Sequence, residues 1–201
     1  MIEYDYISEN FLNSIERAVL GLTYISDKEL LSIPVFNTAI YNLVYAAAIT
    51  GAEEYLSCRL YKETFSSDTC GKRYVHIYNA KHRNNKLNVE FPLSKEHQKD
   101  IEETLMRQIY HRIDLIFDYF DAISRTDFKK KPCDFVEEIK NMVQKRHIIV
   151  HNGGRDSSGN KIDVTLYEIN RAIKIVRTFI NQVEARFVQM GRDPIIIDPT
   201  E

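Results

Sequence analysis

The residues most able to do chemistry sit in one short run, Arg146-His147-Ile148-Ile149-Val150-His151-Asn152-Gly153-Gly154. Histidine is the side chain best suited to moving protons near neutral pH. Arginine offers a fixed donor fork for a phosphate whose charge grows in a transition state. The carbonyl end of a helix also favours cations. Together these groups suit metal-free phosphodiester cleavage, in which a base takes the proton of a 2′-hydroxyl and a cation steadies the phosphorane. At about 100° per residue, Arg146 and His151 do not fall on the same face of a helix. The plainer reading is a helix terminus, with Arg146 in a salt bridge and both histidines packed. Spacing alone favours that plainer reading, because motifs this short match often by chance.

The elements that must position this run read mainly as helices. Ser8 caps a first helix carrying Phe11, Leu12, Ile15, Val19 and Leu22 at helical spacing. A long helix from Val35 to about Phe65 follows, crossed by one tolerable Gly51. Ser94 caps another that reaches Ile123, its stripe of Ile101, Leu105, Ile109, Ile113, Ile116 and Phe120 stepping by three or four. The helix bearing Arg146 starts near Asp134 and stops at Asn152-Gly153-Gly154, where glycine takes the left-handed cap cheaply. Thr165-Leu-Tyr-Glu168 is a capping box opening a last helix, which runs through Phe187 and ends at Gly191. Between helices, residues 73–78 and 87–91 alternate apolar and polar around Asn84-Asn85, which predicts a small β-hairpin insertion over about 72–91. The expected architecture is an all-α antiparallel helical bundle with that one hairpin, a single domain over 1–201.

Composition narrows the function classes. With 27 Lys+Arg against 29 Asp+Glu the formal charge is -2, without the basic excess of a dedicated duplex-DNA binder. Any nucleic-acid contact must be local. Three widely spaced cysteines, Cys58, Cys70 and Cys133, fit neither a disulfide framework nor a thiolate zinc site. No apolar stretch approaches the ~20 residues of a membrane span, and no secretory signal is visible, so a cytoplasmic location is expected. Lys72, Arg73, Tyr74, Lys81 and Arg83 interleave cations with an aromatic, a pattern able to grip single-stranded RNA, although a solvated hairpin tip is the commoner use. Cys70, His76 and His82 lack the spacing of a metal site, and no metal or cofactor is expected.

Arg146, four intervening residues and His151 resemble the R-x(4–6)-H motif of HEPN domains (higher eukaryotes and prokaryotes nucleotide-binding). His147 supplies the polar residue common after that arginine. The long helix with Ala52-Glu53-Glu54-Tyr55-Leu56, a second long helix, the motif helix and the stretch Thr165 to Phe187 resemble the family's order, over roughly residues 35–190. The resemblance implies a helical bundle that dimerises and a metal-independent endoribonuclease of toxin–antitoxin or antiviral defence type. RNA is its substrate, and an antitoxin or other defence protein its partner. It makes Arg146 and His151 the catalytic pair, with His147 assisting and Asn152 in support. It also implies an acidic residue on the early helix that orients the arginine, Glu53 or Glu54, of which Glu54 is the expected one. Other members are non-catalytic modules that bind RNA or nucleotide and dimerise, and that remains the alternative. Some related toxins carry a tyrosine two residues after the motif histidine as an AMP acceptor. Gly153 stands there instead.

Overall fold

The computed structural model describes residue 17, residues 34–108, residue 110 and residues 112–195. The expected first helix lies outside them apart from Arg17, which is helical. The described residues form six further helices, α1 (Pro34–Phe65), α2 (Asp68–Lys81), α3 (Lys95–Met106), α4 (Ile113–Ser124), α5 (Val136–His151) and α6 (Leu166–Gln189). No strand occurs among them, and no helix is long and apolar enough to cross a membrane. They fall into two compact units, one with the residues up to Glu54 and from Asp134 onward, the other Tyr55–Cys133.

In the first unit, α1 opens on a proline, whose fixed φ and missing N–H suit a first helical position. Its Tyr45, Ala48, Ile49 and Ala52 recur at helical spacing and are buried. From α5 the buried set is Val136, Ile139, Met142, Val143 and Ile149. From α6 it includes Ile169, Ile173, Val176, Ile180, Val183 and Phe187, the stripe read from the sequence. The two helices run antiparallel, held by ion pairs Lys145–Glu168 at 2.7 Å and Arg171–Glu138 at 3.0 Å. The capping box forms as expected. Glu168 N donates to Thr165 Oγ1 at 3.2 Å, and Thr165 N donates to Glu168 Oε2 at 2.9 Å.

Helix α5 stops where expected. Gly153 and Gly154 take φ of 61° and 71°, left-handed values that cost a side chain strain. The amides of Asn152 and Gly154 both donate to Ile148 O, at 3.0 and 3.4 Å, closing the helix end. The loop beyond is organised by Asp156, whose carboxylate accepts from the amides of Ser158 and Asn160, both at 2.9 Å.

The second unit overturns two expectations. Residues 68–81 are helix, not a hairpin strand. Arg73 to Tyr78 alternates, but Cys70, Tyr74 and Tyr78 also recur every four residues and are the buried face of α2. Tyr74 packs on Tyr119 with ring centroids 5.5 Å apart. The second expected strand, residues 87–91, forms neither strand nor helix. The side chain of Asn79 holds it to α2, accepting from Leu87 N at 2.7 Å and donating to Leu87 O at 2.8 Å.

The single helix expected from Ser94 to Ile123 is broken between Met106 and Ile113. Arg107 to Arg112 holds neither Gly nor Pro, so no breaker marks the site. At the break Leu105 O accepts from the Tyr110 hydroxyl at 2.8 Å and from the amide of Gln108, three residues on, at 3.1 Å. The unit also buries an ion pair. Arg59, fully buried, donates to Glu63 Oε1 at 2.6 Å, and Ser124 Oγ donates to the other carboxylate oxygen at 2.5 Å. All three cysteines are buried and none is in a disulfide.

Candidate functional site

Arg146, His147 and His151 occupy the last two turns of α5, so the glycine-closed helix end fixes their height along the axis. Arg146 is half-buried and both histidines are exposed. The histidines lie four residues apart on one face, where helical neighbours meet, with ring centroids 4.6 Å apart and planes tilted by 46°. Asn152 follows as the exposed cap residue.

The helix partner of Arg146 is on α1. Its Nη2 lies 3.8 Å from Glu53 Oε2, with side chains 20% and 16% exposed. That spacing is an ion pair rather than a hydrogen bond. Glu53 Oε1 and Arg146 Nε are both shielded from solvent and make no hydrogen bond among the described residues. Burial raises the Glu53 carboxyl above its ordinary value, against the pull of the Arg146 charge. Glu54 is half-buried and also raised by burial, but no ion pair holds it among the described residues. The carboxylate beside the motif arginine is therefore Glu53. Glu54, the one favoured from the sequence, is one residue on and so about 100° further round the helix.

This arrangement places a charged fork and two imidazoles at one helix end, partly open to solvent. It can hold an anionic group on the arginine and offers two proton-transferring rings on the same helix end. Among the described residues no group of three or more His, Cys, Asp or Glu is placed to hold a metal ion.

The second set of candidates is dispersed. Tyr74 is fully buried and bonded to Thr104 Oγ1 at 3.2 Å, which removes the aromatic platform for a base. Arg73 Nη1 donates to Ile123 O at 2.9 Å, and Lys81 pairs with Asp118 at 2.5 Å. Lys72 is exposed, its ammonium 5.6 Å from the Phe91 ring centroid, and Arg83 is exposed as well. The interleaved pattern came from reading a helix as a strand. On α2 its tyrosines turn inward.

Sequence reading passed over a groove between α5 and α6, where Glu138, Lys145, Glu168 and Arg171 meet. Glu138 and Lys145 are seven residues apart, two helical turns, and that spacing was the available signal. Comparison with protein-family models, curated proteins and solved structures gives no significant match to this chain.

Proposed function

We propose that the protein is a HEPN-type, metal-independent endoribonuclease. The observation that carries this reading is the joint placement of Arg146, His147 and His151 at one solvent-facing helix end, with Glu53 3.8 Å from the arginine. The ribose 2′-hydroxyl attacks its own phosphorus after a histidine takes the proton. Arg146 offsets the charge growing on the phosphorane, and a second proton-transferring group protonates the departing 5′-oxygen. The products are a 2′,3′-cyclic phosphate and a 5′-hydroxyl. In this reading two copies pair their motifs, so that acid and base come from a composite site. A toxin or antiviral role, with an antitoxin or other defence protein as partner, follows from the resemblance and not from the geometry.

The test is incubation of a mixed RNA pool in excess EDTA, with the new ends identified chemically. Cleavage leaving 2′,3′-cyclic phosphate is the expected result. Cleavage that appears only on adding Mg²⁺ or Mn²⁺ contradicts the mechanism.

A further inference from the structure

Helix α6 carries a second stripe, outside its buried one. Tyr167, Arg171, Lys174 and Thr178 step by four, three and four residues and so share one face. Tyr167 is 73% exposed and Arg171 57%, and Lys174 is exposed as well. From Tyr167 to Thr178 the stripe runs about 16 Å along the axis. With Phe135, Glu138 and Ile175 it lines a cavity of about 440 Å³, and buried Ile175 gives that cavity an apolar floor.

Printed contacts between the two helices set the order of groups along this groove. Asp134 N donates to Gln182 Oε1 at 2.8 Å, and Gln182 Nε2 donates back to Asp134 Oδ2 at 2.9 Å. One turn further along α5, Glu138 accepts from Arg171 at 3.0 Å. Phe135 therefore stands toward the Thr178 end and Tyr167 at the other, with Arg171 and Lys174 between. Phe135 is 41% exposed, and its backbone holds φ at 65°, a left-handed value that strains a bulky residue. The chain accepts that strain and still leaves much of the ring open to solvent.

Ring, cation, cation, ring is the complement of a single strand of nucleic acid. Bases stack on aromatic side chains and the phosphates between them meet the cations, whereas the bases of a duplex already stack on one another. The cavity lining carries Arg171 and Lys174 against Glu138, a local charge of +1 (2 − 1) in a chain of net charge -2. The run over 72–83 that interleaves cations with an aromatic in sequence buries its Tyr74 ring, and here both rings are open.

We propose that this groove binds single-stranded RNA away from the Arg146 motif, with bases on Tyr167 and Phe135 and the intervening phosphates on Arg171 and Lys174. The choice of RNA rests on the nuclease reading above.

The experiment is fluorescence anisotropy of the full chain with a labelled 2′-O-methyl oligoribonucleotide of about ten nucleotides, a strand that lacks the attacking hydroxyl and stays uncut. Saturable binding is expected. An abasic strand of the same length keeps the phosphates and loses the stacking, so it should bind at least about tenfold more weakly. Tyr167→Ala and Phe135→Gly, the latter keeping the left-handed backbone, should each weaken binding about tenfold. Lys174→Gln should lower the slope of log affinity against log salt by about 0.7. The comparison of strands on the unaltered protein decides the matter even if a variant misfolds. Binding that the groove variants lose, in a protein that cuts no RNA, removes the nuclease reading and supports this one. Cleavage of RNA by a protein whose groove variants bind the strand like the parent overturns the groove and spares the nuclease. Absence of saturable binding overturns the proposal. So does equal affinity for the abasic strand or for a duplex, or tighter binding of a peptide of alternating aspartate and leucine, the rival occupant of a basic, apolar groove.

Discussion

Arg146 Nη2 lies 3.8 Å from Glu53 Oε2, across two helices 93 positions apart in the chain (146 − 53), while the adjacent Glu54 pairs with nothing among the described residues. That relationship separates two neighbouring carboxylates by position. Glu53→Gln should lower RNA cleavage by about 10–100-fold, because a misplaced catalytic group costs that much without being removed. Glu54→Gln should cleave within about twofold of the parent, as side chains free of such contacts usually tolerate change. Initial rates on one labelled RNA check both. Equal losses would remove the orienting role.

The same carboxylate sets a pH dependence. Burial raises Glu53 above its ordinary value of 4.5, the Arg146 charge opposing, so the folded state holds this proton more tightly than the unfolded chain. Its contribution to stability is thus fully present below the unfolded value and is lost as pH rises through the folded one. Urea unfolding of parent and Glu53→Gln from acid to neutral pH should show the variant gaining relative stability across that window. A difference that is flat with pH, or that runs the other way, contradicts the assignment.

The glycines closing α5 are the next point of attack. Gly153→Ala places a Cβ at φ 61° with open space around it, so only backbone strain is added, about 1–2 kcal/mol. Gly154→Ala adds the same strain and a Cβ 3.4 Å from Asn42 Nδ2, an amide that donates to Ile162 O at 3.1 Å. It should cost more. Urea midpoints of the two variants rank them, and a Gly153 loss exceeding the Gly154 loss would show that another force sets the helix end.

Much of the first unit is legible in the amino-acid sequence. The α6 stripe from Ile169 to Phe187, the Thr165 capping box and the glycine stop after His151 all express local rules, and each formed. The elements that differ from expectation depend on distant partners. Arg73 to Tyr78 satisfies a strand period and a helix period together, and burial of Tyr74 and Tyr78 decides for the helix. No breaker residue announces the break after Met106, where Leu105 O accepts from the Tyr110 hydroxyl and from Gln108 N. The buried Arg59–Glu63 pair reads, in sequence, like any exposed i,i+4 pair. At the candidate site the run from Arg146 to His151 is visible in the sequence, and its reading as a motif comes from the resemblance. Which of two adjacent glutamates meets the arginine depends on helix rotation, and sequence does not carry that to within one residue.

The central claim is that Arg146 and His151 cut RNA, and cleavage by the two alanine variants tests it most directly. Losing one well-placed electrostatic or acid–base group commonly costs ~10²–10⁴ in rate. Arg146→Ala and His151→Ala, each shown by circular dichroism to keep the parent's helix content, should therefore lose cleavage by at least ~10²-fold. RNA binding should survive better in His151→Ala, because arginine is the permanent phosphate contact. Cleavage by both folded variants at the parent's rate would contradict the account and make the motif a helix terminus only.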